Sequence, residues 1–209
     1  QPFLIKFYKG SKADYNKKLY NILKKTQGLI NSRSKFKLLS SNVVSIEEMS
    51  SPPQCLNLLH LFADLSKSKN ILELGTFLGI SAMSFALVSK QIKVTSLEKF
   101  SEFYEIAKKN IKLNGFEKQI NVVLGDAKIS LKKIKKKFDL IFIDGDKENY
   151  LLYLKLVLKN NTKSGSIIIV DNIFFHGDVF NSRPSHKKGN GAKKVLNFVE
   201  ESKKLFSSI

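Results

Sequence analysis

Two carboxylates and a lysine follow a short apolar segment in the second half of the chain. The stretch DLIFIDGDKENY (139–150) continues from four apolar residues into Asp144, Gly145, Asp146 and Lys147. Asp-Gly is a common turn pair, so a tight turn after a buried strand is one interpretation. A reaction centre is the other, because a lysine among carboxylates is able to exchange a proton with a substrate.

Further oxygen ligands follow the next apolar segment, GSIIIVDN (165–172), which ends in Asp171 and Asn172. The carboxyl ends of neighbouring parallel strands lie close together, so Asp144 would meet Asp171 and Asn172 at one edge of a sheet. Two carboxylates and an amide oxygen suit a hard divalent cation such as magnesium or calcium. Repulsion by such a cation would depress the pKa of Lys147, which would then act as a general base.

An earlier segment, ELGTFLGIS (73–81), predicts a cofactor loop after a strand. Its G-x-x-x-G lacks the close glycine pair of a dinucleotide-binding loop, which reads G-x-G-x-x-G. Glu73 places an acid before the loop, and Glu98 ends the following strand, where a carboxylate accepts the hydroxyl groups of a ribose. The segment GDA (125–127) suits the rim of an adenine. These features together favour S-adenosylmethionine.

The segments that position these residues alternate between strand and helix patterns. This alternation predicts the α/β class, with a doubly wound, mostly parallel sheet in a single domain over 1–209. A lysine-rich helical extension is expected over 1–48, before a catalytic core over 49–209. The predicted strands are 70–75, 93–99, 120–127, 137–146 and 165–172, and the predicted core helices are 55–65, 81–90, 101–115, 148–159 and 191–206.

Composition restricts the classes of function. The chain has 209 residues, 43% of them apolar, and no apolar run long enough to span a bilayer. The lone cysteine, Cys55, excludes an internal disulfide and fits a cytoplasmic protein. The net charge of +18 favours a function in nucleic-acid binding. Of the 36 basic residues only Arg33 and Arg183 are arginines. Arginine is the residue that usually binds phosphates in a bidentate manner, so the charge is weak evidence for RNA binding.

The motifs ILELGTFLGIS, VTSLEK, GDA, FDLIFIDGDKENY and IIIVDNIFFHGDV, in this order and spacing, resemble one family. It is the cation-dependent O-methyltransferases of the catechol and caffeoyl-coenzyme A type, especially the bacterial members, and the match covers about 49–200. The resemblance implies a Rossmann-like class I methyltransferase fold and a homodimer. It also implies a hydroxylated small-molecule acceptor with adjacent oxygens, and magnesium, manganese or calcium as the cation.

The resemblance also implies a role for each matched residue. The methionine end of the cofactor would contact Glu73, Gly75 and Ser81. The ribose would bind Glu98, and the adenine would lie beside Asp126 and Ala127. The cation would be held by Asp144, Asp171 and Asn172, with Asp144 also near the cofactor. The base that takes the proton from the acceptor hydroxyl would be Lys147.

Three departures from the family pattern stand out. The chain lacks tryptophan, so an aromatic wall beside the acceptor would come from Phe174, Phe175 or Tyr150. The family continues into a final antiparallel strand pair, whereas this chain ends at KKLFSSI, which implies either a truncated chain or an incomplete sheet edge. The segment 176–191 is expected to form a flexible loop near the cation, with its histidines as ordinary loop residues.

Other functions remain open at this point. A transfer-RNA hydroxyuridine methyltransferase resembles the same family and would use the positive charge. A nicotinamide-dependent dehydrogenase is disfavoured because G-x-G-x-x-G is absent. A non-catalytic binding protein on the same fold is disfavoured because all the cation-ligand and base positions are filled.

Overall fold

The structure is a computed structural model that describes residues 36–39, 50–202 and 205. Most of the helical extension predicted over 1–48 therefore lies outside the described residues. Within the described part of the chain, no helix combines the length and the apolar character that crossing a membrane requires.

Five parallel strands of the described chain form one sheet in the order β3-β2-β1-β4-β5. The strands are β1 (Asn70–Leu74), β2 (Lys93–Glu98), β3 (Ile120–Leu124), β4 (Leu140–Ile143) and β5 (Ile167–Val170). All five predicted strands are present, and the predicted α/β class is confirmed. Each is shorter than predicted because the polar residues at its carboxyl end leave the sheet and form the loops of the site.

Six α-helices within the described residues cover the sheet. They are α1 (Pro53–Leu65), α2 (Ile80–Val88), α3 (Ser101–Leu113), α4 (Ala127–Lys133), α5 (Tyr150–Asn160) and α6 (Lys187–Glu200). The sequence analysis missed α4, since its single buried residue, Leu131, leaves no clear apolar period. It also placed the start of α6 at Gly191, four residues too late, because glycines are unfavourable inside helices.

Alternate residues of each strand face two separate apolar layers. Ile71 and Phe142 pack with α1, α2 and α3 on one face, whereas Leu72 and Ile143 pack with α4, α5 and α6 on the other. Burial on both faces explains why β4 consists of apolar residues alone.

The strand order reverses beside β1, and this reversal creates the site. β2 and β4 pair with opposite edges of β1, so Leu97 and Ile143 both lie level with Leu74. The loops that leave these strands diverge above the carboxyl end of β1. Such a crevice is where open α/β sheets bind ligands.

Candidate functional site

The loop after β1 approaches the end of β4 without an intervening side chain. Gly75 has φ +100°, a conformation that favours glycine. A Cβ atom there would overlap the carbonyl oxygen of Asp144 and lie 2.9 Å from its carbonyl carbon. The Asp144 amide in turn donates to the Leu74 carbonyl over 2.9 Å. The predicted cofactor loop and the predicted cation ligand Asp144 are therefore in direct backbone contact.

Glu73 is a fully buried acid beneath this loop. The Ser96 hydroxyl donates to its Oε2 atom, and Thr76 Oγ1 lies 2.5 Å from Ser96 Oγ. Burial raises the pKa of Glu73 to about 8, although the Ser81 and Ser96 hydroxyls oppose the shift. Among the described residues, Oε1 has no hydrogen-bond partner. A buried carboxyl with one unpaired oxygen fits a polar or cationic group of a ligand.

Glu98 organises the cofactor loop from the end of β2. Its Oε2 accepts the backbone N–H groups of Thr76 and Phe77 over 3.2 and 2.9 Å, and its Oε1 accepts that of Phe100 over 2.9 Å. A carboxylate has about four acceptor positions, so about one is left for a ribose hydroxyl. The sequence analysis gave Glu98 a ribose contact alone and missed this structural role, which has no sequence signature.

Asp126 is the N-cap of α4, the helix that the sequence analysis missed. It accepts the backbone N–H of Lys128 over 2.8 Å, and its carboxylate lies 3.6 Å from the ammonium of Lys128. The preceding Gly125 donates its N–H to the Glu98 carbonyl over 2.7 Å. The structure thus brings Asp126 and Ala127 next to Glu98, and their contact with an adenine stays a prediction.

The turn after β4 presents one carboxylate and one ammonium together. Lys147 Nζ lies 3.6 Å from Asp144 Oδ1, and both side chains are about one-fifth exposed. The same Nζ lies 5.5 Å from the centre of the Tyr150 ring. Asp146 has a different task, since it caps a 3₁₀ turn (Lys147–Asn149) by accepting the N–H of Glu148 over 3.2 Å. The turn interpretation of this stretch is correct and the turn orients a charged pair, while the reaction-centre interpretation stays a prediction.

The end of β5 adds the second carboxylate. The Asp171 amide donates to the Ile143 carbonyl over 3.0 Å, which keeps this residue next to Asp144. Burial raises the pKa of Asp144 to about 6, the negative charge of Asp171 adds to the rise, and Lys147 opposes it. Asn172 adopts φ +54° and donates its N–H to Asp171 Oδ1 over 2.8 Å.

This donor set fits a divalent cation. Two carboxylates that repel each other are stabilised by a positive charge between them, and Asn172 supplies an amide oxygen at the same edge. Across residues 50–202, no cluster of three or more His, Cys, Asp or Glu side chains is arranged to hold a metal. Asp144, Asp171 and Asn172 stay the candidate ligands.

The segment 176–191, expected to be a flexible loop, is more regular than that. A 3₁₀ turn that is kinked at His176 and Gly177 spans Phe175–Phe180, and α6 already begins at Lys187. Asp178 holds the intervening residues by accepting the backbone N–H groups of Ser185 and His186 over 2.9 and 3.1 Å. These bonds, the Ser185 amide foremost, hold the pKa of Asp178 well below its usual range.

The aromatic residues near the site divide into two kinds. Tyr150 is completely buried beneath Lys147, so it is no wall for an acceptor. Phe174 stacks on Phe180 with 5.5 Å between ring centres, and Phe175 contacts the ring of His176 edge-on. Phe174 and Phe175 are partly exposed and stay candidates for the aromatic wall.

Comparison with known proteins agrees with this geometry. A family model described as O-methyltransferase matches residues 34–205. The chain belongs to the O-methyltransferase family. A catechol O-methyltransferase of Niastella koreensis is 33% identical over 141 residues, which cover 65% of this chain and 63% of that protein. A caffeoyl-CoA O-methyltransferase of Populus kitakamiensis is 33% identical over 139 residues, which cover 64% of this chain and 59% of that protein. This member of the family thus spans about three-fifths of the length of these relatives.

A solved structure shares the fold. The O-methyltransferase from Bacillus cereus, determined in complex with SAH, superposes with a TM-score of 0.71 at 26% identity. The superposition covers 87% of this chain and 79% of that one. The predicted Rossmann-like fold and the predicted family are confirmed.

Proposed function

We propose that this chain transfers a methyl group from S-adenosylmethionine to a hydroxyl of a catechol-like small molecule, in a reaction that requires a divalent cation. The observation that carries the proposal is the Lys147–Asp144 pair, placed beside Asp171 and against the Gly75 loop. One crevice therefore contains a proton acceptor, oxygen ligands for a cation and a cofactor loop.

The cofactor half of the crevice would bind and orient the methyl donor. Glu73, Gly75 and Ser81 would contact the methionine end, Glu98 the ribose, and Asp126 with Ala127 the adenine. S-adenosylmethionine supplies a methyl group made electrophilic by a sulfonium. The rigid loop that Glu98 holds would fix the direction of that methyl group, and alignment of this kind is a large part of catalysis for a simple displacement.

The acceptor half would prepare the nucleophile. Asp144, Asp171 and Asn172 would hold the cation, which lowers the pKa of a bound acceptor hydroxyl. Lys147 Nζ, as the neutral amine, would take the hydroxyl proton. The acceptor oxygen then forms a bond to the methyl carbon while the carbon–sulfur bond breaks and its electron pair stays on sulfur. The products are the methyl ether and S-adenosylhomocysteine.

Transfer RNA is the second candidate acceptor, favoured by the net charge of +18. Binding of an RNA through phosphates would weaken steeply as salt rises, whereas binding of a catechol would not. The homodimer implied by the resemblance and the cytoplasmic location inferred from the lone cysteine also stay predictions.

One assay tests the proposal. Transfer of a labelled methyl group is measured with magnesium, manganese or calcium, and with excess EDTA, against a vicinal-diol aromatic and against bulk transfer RNA. We expect cation-dependent transfer to the diol. Transfer to RNA and not to the diol would show that RNA is the acceptor. Transfer undiminished by EDTA would refute the cation requirement.

A further inference from the structure

The first turns of α6 carry two buried glycines on either side of an exposed residue. In KKGNGAKK (187–194), Gly189 and Gly191 are buried, while Asn190 between them is exposed. A Cβ atom on Gly191 would overlap the carbonyl oxygen of Lys147 and lie 2.9 Å from the Cα atom of Glu148. Here the helix backbone packs directly on the backbone that carries Lys147, and both neighbouring atoms belong to the main chain.

The other glycine, Gly189, fixes the start of α6. A Cβ atom on Gly189 would overlap Asp178 Oδ2 and lie 2.8 Å from Asp178 Cγ. This carboxylate also accepts the N–H groups of Ser185 and His186, the two residues before α6. Gly189 and Asp178 thus hold the start of α6 at a fixed distance from the 3₁₀ turn (Phe175–Phe180) that follows the predicted cation ligands.

We propose that Gly191 is a positioning residue for Lys147, with Gly189 and Asp178 fixing the helix end from which it acts. The inference rests on the proposed function, in which Lys147 is the base. A positioning role explains why α6 has glycines, although helix propensity disfavours each of them by about 1 kcal/mol relative to alanine. The close approach determines where the Lys147–Glu148 peptide lies, and hence where Nζ can reach.

The geometry of Lys147 makes this position sensitive. Its ammonium is placed between the Asp144 carboxylate and the Tyr150 ring, neither of which belongs to α6. An alanine at position 191 would push the Lys147–Glu148 peptide away from the helix while Asp144 and the Tyr150 ring stay in place, so Nζ would be displaced relative to both. Because proton transfer needs hydrogen-bond reach, a displacement of about 1 Å lowers turnover by roughly 100-fold.

The test compares Gly191→Ala with Asn190→Ala, an exposed neighbour in the same helix. For Gly191→Ala we expect kcat to fall at least tenfold, with cofactor affinity by calorimetry unchanged within twofold. The amide NMR signals of Lys147 and Glu148 should shift in the free protein, while those of Thr76 and Phe77 stay. Asn190→Ala should change none of these quantities. Unmoved Lys147 and Glu148 signals, or an unchanged kcat, would overturn the proposal.

A double-mutant cycle separates positioning from general damage. In a Lys147→Ala background, Gly191→Ala should lower the residual kcat less than twofold, because the group it positions is gone. An equal loss in both backgrounds would show that Gly191 acts elsewhere. If Gly191→Ala does not fold, Gly189→Ala serves in the same cycle, since its overlap is with a side chain and is easier to relieve.

The outcomes also distinguish this proposal from the proposed function. A wild-type protein that transfers no methyl group contradicts the function, and the NMR comparison still reports whether position 191 sets the Lys147 backbone. An active wild type with additive effects in the cycle contradicts the positioning role alone.

Discussion

At the end of β2, the Glu98 carboxylate accepts three backbone N–H groups, those of Thr76, Phe77 and Phe100. At the end of β4, the Asp144 carboxylate has Lys147 as its ion-pair partner among the described residues, 3.6 Å away, and is repelled by Asp171. Both acids leave the same edge of one sheet. Protein N–H groups occupy nearly all the hydrogen-bond acceptor positions of Glu98. Those of Asp144 are not filled in this way.

This difference indicates how the two halves of the crevice are prepared. In the cofactor half, Glu73 is buried with a pKa raised to about 8, so it is largely neutral at pH 7, and Glu98 holds a loop. In the acceptor half, two carboxylates face each other with oxygen atoms to spare. On the proposed function, the cofactor half would be complete without a cation, whereas the acceptor half would be organised around one.

The largest effect is expected from a substitution that alters the acceptor half alone. Asp171→Ala should lower kcat at least about 1,000-fold, because a cation that polarises the acceptor contributes several kcal/mol and each 1.4 kcal/mol is tenfold in rate. The check is methyl transfer at saturating cation. Asp64→Ala, at an exposed acid on α1, is the control and should retain full activity. Comparable turnover in the Asp171 variant would contradict the cation role.

The second largest effect is expected where the cofactor loop contacts the main chain of Asp144. Gly75→Ala combines a φ of +100° with overlap of the Asp144 main chain, and should lower the free energy of unfolding by about 3 kcal/mol. Gly115→Ala is the matched control, since Gly115 has φ +74° but nothing within 4 Å of the added atom. It should cost about 1 kcal/mol in urea titrations. Equal costs for the two variants would show that the backbone contact is loose.

A smaller effect tests the neutral state of Glu73. Between pH 5 and 6.5 the unfolded chain ionises this acid while the folded protein keeps it protonated. The folded state therefore binds more protons, and wild-type stability falls as pH rises. Glu73→Gln removes this dependence. Urea unfolding at both pH values should show the variant gaining about 2 kcal/mol relative to wild type. A difference that is independent of pH would mean that Glu73 is ionised in the fold.

The smallest effect concerns the ring beneath Lys147. The Tyr150 hydroxyl is buried and has no hydrogen-bond partner among the described residues. Tyr150→Phe should raise the free energy of unfolding by about 1 kcal/mol, since an unpaired buried hydroxyl is costly. Turnover should stay within twofold because the ring remains under the ammonium. A loss of stability on urea unfolding would reveal a partner for the hydroxyl.

Sequence alone predicted the sheet because burial on both faces leaves a strong signal in the strands. Segments such as Leu140–Ile143 have no polar residue to compete with a strand assignment. The start of α6 was placed wrongly for the opposite reason. Its glycines are required by contacts with Lys147 and Asp178, which are distant in sequence, and no local pattern reports such contacts.

The site was predictable to the extent that strand ends reveal it. Asp144, Lys147 and Asp171 follow apolar strands, so topology alone brings them together. The hydrogen bonds that Glu98 accepts from the cofactor loop, the Ser96 contact of Glu73 and the anchoring by Asp178 were missed. Each depends on the path of a loop backbone, which side-chain spacing does not encode.

The separation of the two halves is tested most directly by calorimetric titration of S-adenosylmethionine into the Asp171→Ala variant and into the wild type. We expect dissociation constants that agree within about threefold, together with the loss of turnover described above. Loss of cofactor affinity in parallel with turnover would contradict this expectation, because the acceptor half would then be part of the cofactor site.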